Sequence, residues 1–412
     1  MDLPPRPACA TGSWMVVVSA GVAAGLQVWK LPPALPYLRS DLSLSLVQAG
    51  TLLGIVQLAG MLGGLAVSLL AELIGERRCL SAGLVLLFLG SAGGGFAGSA
   101  APLLASRAVE GAGFILVAVT GPGLIRRVTP PGRFTTAMGF WGAYQGMSTF
   151  AGLVVGALVL QVVSWRVWWW GMAVLALAPL PWVLSRVPRD DAGGVRGAAA
   201  ALSRIGRTVR APGPWTAGLV FACYTLPWMA VVGFLPTIYR DGGMTGSWPG
   251  VLSAVVGAAN AVGSIATAAL VRRGLPARAL LVPAFVLMAT ASVFAFAVDW
   301  RDLPAGTVWQ FLCVVAFSLT GGAVPATLLR MIGELTPDGG SLPATMGLIQ
   351  QLFNAGSFVG PAVAAWLATR TGGWHSTWWI TCACTATGIA LSFRLRLGKR
   401  SASAPVTSTA VP

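Results

Sequence analysis

Arg107-Ala108-Val109-Glu110-Gly111-Ala112-Gly113 sets an arginine and a glutamate inside a hydrophobic segment that runs from about Pro102 to Ile125. On a helix Arg107 and Glu110 are three residues apart and share a face, with Gly111 one position further along, where another backbone can come close. An ionised side chain at the bilayer centre costs roughly 2.5–3.5 kcal/mol on insertion scales, so such residues face a protein interior or a watery cavity and mark substrate or ion paths. Two readings of the pair stay open: a buried structural pair that holds neighbouring helices together, or a direct part in transport.

Outward from this segment the chain is apolar almost throughout. Of its 412 residues, 56% are hydrophobic and 9% charged, and the mean hydropathy is +0.77, which excludes a soluble domain of this size. Twelve apolar runs of about 18–25 residues are each long enough to cross a ~30 Å hydrocarbon core as a helix. They lie at roughly 14–37, 45–70, 79–98, 102–126, 135–160, 165–184, 215–238, 249–271, 279–298, 306–330, 342–368 and 376–394. The first run follows Pro-rich Leu3 to Pro7 and has no convincing small-residue cleavage site after it, so it is expected to be a retained helix.

A net charge of +15 could point to nucleic acid, but the positions of the basic residues argue for topology instead. With both termini cytoplasmic and the loops assigned alternately, 20 lysines and arginines fall inside and 6 outside, the outer set being Lys30, Arg39, Arg166, Arg240, Arg301 and Arg370. That imbalance fixes the orientation by the positive-inside rule and removes nucleic acid as a partner. The partners expected are the lipid bilayer, a small-molecule substrate and protons.

Internal repetition organises the rest. Leu35-Pro36, Asp41, Gly50 and Leu52 recur as Leu235-Pro236, Asp241, Gly250 and Leu252, shifted by 200. Met138-Gly139, Phe150 and Gly152 recur as Met346-Gly347, Phe358 and Gly360, shifted by 208, and Trp165, Trp169 and Trp170 recur as Trp374, Trp378 and Trp379, shifted by 209. The fold expected is an all-α integral membrane protein of twelve transmembrane helices in two six-helix pseudo-repeat bundles, residues 1–184 and 215–394. Residues 185–214, rich in Arg, Gly, Ala and Pro, form the cytoplasmic linker, and 395–412 a cytoplasmic tail.

The two tryptophan clusters fall at the outer ends of helices six and twelve and fit an aromatic belt at headgroup level. His375, the only histidine, lies in the second cluster as a solvated loop residue. Cys382 and Cys384, two apart, point different ways on a helix, and the six scattered cysteines imply neither a disulfide nor a metal site.

Two six-helix halves, a basic connecting loop and Ser68-Leu-Leu-Ala-Glu72-Leu-Ile-Gly75-Glu-Arg77-Arg78 between helices two and three resemble the major facilitator superfamily. Its loop pattern there is Gly-x-x-x-Asp-Arg-x-Gly-Arg-Arg. Glu72 stands for the acid, Gly75 for the glycine and Arg77 for the second basic residue, while Ser68 and Leu73 replace the first glycine and first arginine. The resemblance implies a cytoplasmic latch formed by Glu72, Gly75 and Arg77, weakened here by the missing arginine. A carboxylate at a helix end, near basic residues and an adjacent helix N-terminus, can join two helices in that way.

Arg107-Ala-Val-Glu110-Gly111-Ala-Gly113 resembles the fourth-helix motif Arg-x-x-x-Gly-x-Gly of the same superfamily, which implies a part in substrate or proton coupling. The Gly-Pro-x-x-Gly-Gly ending of the drug-antiporter fifth helix is replaced by Ala143-Tyr144-Gln145-Gly146 and the residues to Gly152. Arg-x-x-Glu-Gly-x-Gly-Phe, the following Gly121-Pro122, and Leu31-Pro-Pro-Ala-Leu-Pro36 before Asp41 look similar to the cyanate-permease and nitroimidazole-transporter group. The resemblance places the chain in a bacterial cytoplasmic (inner) membrane.

By the offset of 208, Arg107 falls opposite Val315 and Glu110 opposite Ser318, so the charge pair exists in one half only. Other polar residues on cavity-forming helices are Gln27 and Lys30 in helix one, Gln57 in two, Tyr144 and Gln145 in five, Tyr224 and Thr225 in seven, Asn260 in eight, Thr320 in ten, and Gln350, Gln351 and Asn354 in eleven. Each can bind substrate or simply hydrogen-bond to a neighbouring helix. Pro32, Pro33, Pro36, Pro227 and Pro236 are expected to interrupt helices one and seven.

The function expected is alternating-access transport of a small inorganic or organic anion by proton-coupled uptake. Arg107 would hold the anion, with Lys30, Gln27, Tyr144, Gln145, Tyr224, Gln350 and Asn354 lining the site and Glu110 carrying the proton. Efflux of a drug-like compound by proton exchange is the alternative, and a transporter-like sensor a remoter one. No cofactor, metal ligand set or catalytic triad is legible, so an enzyme is not expected, and the protein is expected to act as a monomer.

Overall fold

In hydrocarbon every backbone N–H must be paired within its own segment, so long runs of Ala, Leu, Val and Gly have one solution, the helix. The computed structural model describes residues 12–190, 198–300 and 305–395 and contains only helices and turns among them. The first six crossings are α1 (Ser13–Asp41), α2 (46–74), α3 (Glu76–Gly95), α4 (Ala100–Val128), α5 (Phe134–Val159) and α6 (Trp165–Arg186). The second six are α7 (Pro212–Asp241), α8 (Trp248–Arg272), α9 (Ala277–Ala297), α10 (Gly306–Arg330), α11 (Leu342–Thr371) and α12 (Thr377–Arg394). Eleven are apolar and long enough to cross a bilayer. The twelfth, α12, has 18 residues, four of them threonines, and closes on Arg394. Thr385 and Thr387 donate back to the carbonyls of Thr381 and Ala383, which hides their hydroxyls from lipid.

The expected breaks in helices one and seven occur in one of them. Lys30 separates Ser13–Trp29 from Leu31–Asp41, with Pro32 and Pro33 withdrawing two backbone donors just beyond it. α7 instead runs unbroken through Pro227 and Pro236. α2 is jointed by a short 3-10 turn at Ile55–Gln57.

Corresponding helices pack alike in the two bundles: α3 lies against α4 and α6, and α9 against α10 and α12. The bundles meet along two seams. At the first, α2 and α11 approach so closely that side chains at Gly54 and Gly60 would collide with the Phe358 carbonyl and the Asn354 amide. At the second, α5 meets α8, with Ala157 on Gly250, Thr149 on Gly257 and Ala261 on Gly146. Away from the linker, α1 and α7 also touch. Trp29 and Trp228 pack edge to face at 5.5 Å, Arg240 donates to Tyr37 Oη (2.9 Å) and its guanidinium lies 4.5 Å over that ring.

The linker contains a helix, Ala198–Arg210, that a polar Arg- and Gly-rich stretch does not advertise. Its Thr208 hydroxyl accepts from the N–H of Ser341, at the start of α11. Residues 191–197 of the linker, and the tail beyond Leu395, lie outside the described residues.

Candidate functional site: a buried charge cluster and the seams between the bundles

Lys30, three residues after Gln27 on one face of α1, lies beside α3 and α4, inside the first bundle and not on the outer side to which the charge count assigned it. Its side chain is fully enclosed. Nζ donates to Gln27 Oε1 (2.9 Å), Ser91 Oγ (2.7 Å) and Glu110 Oε1 (2.7 Å). Ser91 passes its own proton to the carbonyl of Trp169 (2.7 Å), so it can only accept from Lys30. Three acceptors thus surround Nζ, the number that an ammonium can satisfy. The Trp169 ring lies 4.7 Å from that nitrogen and adds a cation–π contact.

Glu110 spends its second oxygen on Arg107: Oε2 accepts from Nη1, which also donates to the carbonyl of Gln27 (2.6 Å). Glu110 and Arg107 are 0% exposed. Gly90 of α3 makes room for the glutamate, since a Cβ there would lie 2.8 Å from its Cγ. Gln27 completes the set by donating to the Met172 carbonyl of α6 (2.8 Å), and the Trp168 indole donates to the Lys30 carbonyl (3.0 Å). The cluster therefore ties α1, α3, α4 and α6 together inside the first bundle. Arg107 Nε and Nη2 remain: both are buried and have no hydrogen-bond partner among the described residues.

The other expected site residues lie elsewhere. Tyr144 is buried on α5 against Trp141, with ring centroids 4.7 Å apart. Gln145 beside it turns a buried, unpartnered Oε1 towards Gly25 of α1. Tyr224 lies in the second bundle, its hydroxyl 2.9–3.1 Å from the Asn260 amide. Gln350 is half-buried on α11, and Asn354 is enclosed with both amide atoms unpartnered. Of the eight residues expected around the substrate, the structure brings together Lys30, Gln27 and Arg107, with Glu110.

At the linker end lies the corner on which the latch was expected. Gly75, at φ +100°, turns the chain from α2 into α3. Glu72 lies on α2, but its side chain is outside the described residues. A carboxylate that joins this corner is Asp190, just beyond α6, which accepts from the backbone N–H groups of Arg77 (3.1 Å) and Arg78 (3.0 Å) and from Arg127 Nη1 (3.0 Å). Desolvation opposes its ionisation, but those two N–H groups and the Arg127 guanidinium outweigh it and hold the carboxyl below the usual carboxylate value. Arg77 itself donates to the Leu184 carbonyl (2.5 Å). No loop pattern signals Asp190, because its partners lie more than 60 residues away in sequence.

The reading of the tryptophan clusters as a belt is corrected. The Trp165 indole donates to Asp41 (2.8 Å), joined there by Arg166 (2.7 Å), and the Trp374 indole donates to Asp241 (3.0 Å). Trp168 and Trp169 are buried, and only the outward members such as Trp379 (61% exposed) suit a belt. Two repeats read separately, Asp41/Asp241 and Trp165/Trp374, are thus hydrogen-bonded partners in each bundle.

A family model, the Major Facilitator Superfamily, matches residues 17–317 and 217–411. The chain belongs to that superfamily. The major facilitator fold is also that of the D-xylose-proton symporter crystal structure, which superposes with a TM-score of 0.75 over 94% of this chain and 98% of that one, at 15% identity. Among curated proteins, the cyanate transport protein CynX of Escherichia coli (strain K12) is 26% identical over 360 residues, covering 86% of this chain and 88% of CynX. The chloramphenicol resistance protein of Streptomyces lividans is 25% identical over 379 residues, 91% of this chain and 93% of its own. A tetracenomycin C resistance and export protein of Streptomyces glaucescens is 31% identical over 164 residues, 39% of this chain and 28% of that protein. As a major facilitator, this protein is a multi-helix membrane transporter.

Proposed function

We propose that this transporter takes up a small anion, inorganic or an organic carboxylate, together with protons. The observation that supports this is the charge balance of the enclosed cluster: two cations, Lys30 and Arg107, against one carboxylate, Glu110. A buried cation in excess is costly until an anion joins it. The unpartnered atoms, Arg107 Nε and Nη2, are adjacent N–H donors on one edge of the guanidinium, the fork that grips a planar oxyanion in two parallel bonds. Glu110 is the proton carrier in this reading, because cargo on Arg107 competes with it for the same guanidinium. The two bundles, residues 1–184 and 215–394, rock about their seams with the linker side cytoplasmic, both termini on that side, in a bacterial inner membrane. The protein works as a monomer. Similarity to a cyanate transport protein along nearly the whole chain agrees with this cargo class.

The test is uptake of radiolabelled cyanate and small carboxylates into vesicles. Arg107→Lys keeps the charge and loses the fork, so uptake should fall on the order of tenfold or more. Uptake at the parental rate by normally expressed Arg107→Ala protein removes the assignment. A second reading, efflux of a drug-like compound by proton exchange, is favoured by the similarity to the chloramphenicol resistance protein over 91% of this chain. Compound sensitivity of a deletion strain selects between them: export predicts hypersensitivity, uptake predicts resistance or a nutrient-specific growth defect.

A further inference from the structure

Along the α2/α11 seam one short stretch differs in character from its surroundings. Asn354 is 1% exposed, Ser357 0% and Gln57 3%. Asn354 Oδ1 and Nδ2, Ser357 Oγ and Gln57 Oε1 all lack a hydrogen-bond partner among the described residues. One turn away on the same helix, Gln351 does bond across the seam, donating to the Met61 carbonyl (3.4 Å). Gly54 packs on Phe358 and Gly60 on Asn354, so Gln57, midway between the two glycines and on the same face by helical spacing, lies at the same height as Asn354 and Ser357. The 3-10 turn at Ile55–Gln57 falls at this height too, near the middle of both helices. The Val56 carbonyl, next to Gln57, abuts Gly111 of α4, one helical turn from Arg107.

Four unpartnered polar atoms on one seam in a hydrocarbon-depth interior are expensive. A buried donor or acceptor left unmade costs its full desolvation penalty, whereas apolar residues of the same shape cost nothing of the kind. The α5/α8 seam shows the alternative, since Thr149 there returns its hydroxyl to its own helix at the Gln145 carbonyl (2.8 Å). The unmade bonds are also of both kinds. Asn354 Nδ2 and the Ser357 hydroxyl donate, while Asn354 Oδ1 and Gln57 Oε1 can only accept. A simple oxyanion satisfies the first pair and leaves the second empty.

We infer that Asn354, Ser357 and Gln57 form a cargo-recognition subsite that selects a small oxyanion carrying its own O–H or N–H donor, the chemistry of a hydroxy acid, hydrogencarbonate or carbamate. The inference rests on the anion reading above for the charge of the cargo and adds the donor to it. Donor-bearing cargo completes the acceptors; donor-free cargo of the same size leaves them buried and unpaired, which is how polar sites reject analogues. Because the seam joins the two bundles, the solute touches both at once there, as alternating access about a midplane site needs.

The experiment compares glycolate with acetate, matched in charge and close in size, by thermal shift and competition for uptake on the full-length protein. The unmodified protein should prefer glycolate on the order of tenfold, the worth of one hydrogen bond to a charged or well-placed partner. Asn354→Leu should abolish the preference, weakening glycolate more than acetate, because acetate loses only the Nδ2 donor while glycolate loses the Oδ1 acceptor as well. It should also leave the ligand-free protein as stable or more stable, because an apolar side chain replaces unmade bonds; a purely structural asparagine would be missed and its loss would lower the melting temperature. Gly60→Ala, which pushes on the Asn354 amide without altering any donor, should weaken the preference as well. Equal affinity for the two acids, or a preference that survives Asn354→Leu, overturns the subsite and leaves the anion reading standing. Affinity for neither acid overturns both.

Discussion

The two bundles share a backbone plan and differ in what they bury. In the first, α1, α3, α4 and α6 close around Lys30, Glu110 and Arg107. In the second, the position matching Glu110 is Ser318. Its hydroxyl accepts from the Trp228 indole (3.2 Å), and its carbonyl from Asn260 Nδ2 (2.8 Å), which reaches on to Tyr224. One bundle is held by ions and the other by neutral hydrogen bonds. The corners differ in the same way. Gly75 and Gly274 both turn the chain at positive φ between corresponding helices, at +100° and +84°. Asp190 packs against the first, and nothing lies within 4 Å of a Cβ built on the second. Duplication preserved what geometry requires, turns and close approaches, and left free the side chains that carry charge.

The largest expected effect contrasts Glu110 with Ser318. Glu110→Ala strands two buried cations and should destabilise by about 3–5 kcal/mol, while Ser318→Ala removes one neutral acceptor and should cost about 1 kcal/mol. Thermal unfolding of the purified proteins separates the two, and similar losses would break the contrast between an ionic and a neutral core.

Asp190 comes next. Asp190→Asn should lower stability by about 1 kcal/mol, with the exposed Arg127 partner discounted for solvent screening. Its carboxyl is held below the ordinary value, so its contribution is complete above about pH 4 and is lost as pH falls through the lower, folded-state value. The acid limb of the stability curve should therefore flatten in Asp190→Asn. An unchanged limb would mean that the Gly75 corner is no better anchored than the one at Gly274.

The smallest effect sharpens the comparison at the far ends. Asp41 holds both an indole and a guanidinium, Asp241 an indole. Both sites are solvent-accessible, so Asp41→Asn and Asp241→Asn should each cost a few tenths of a kcal/mol, Asp41 the more. Melting temperatures of the two variants and the double variant would show whether these paired straps are equivalent.

Much of this was legible beforehand, for identifiable reasons. Helix number and extent follow from apolar length, and the bounds of α4, α5 and α10 fall within about two residues of the hydropathy reading, because hydrocarbon thickness sets helix length directly. Arg107 and Glu110 were marked by their rarity in such surroundings. What they touch was not. Ser91, Trp169 and Met172 carry no motif, and Lys30, although read as a substrate residue of helix one, was counted with the outer-side charges. Its place on the same helix face as Gln27 turns it inward. The loop pattern marked Glu72, Gly75 and Arg77, but not Asp190, which reaches the same corner from the end of α6.

The amino-acid order by itself determined a duplicated twelve-helix membrane bundle, for hydropathy and repeat spacing are local or periodic quantities and need no third dimension. Only the tertiary structure decided which polar groups are satisfied. Whether the Lys30 ammonium finds three acceptors, or the Asn354 amide none, depends on how helices distant in sequence are brought together, and a hydrogen bond needs both partners placed to within a few tenths of an ångström.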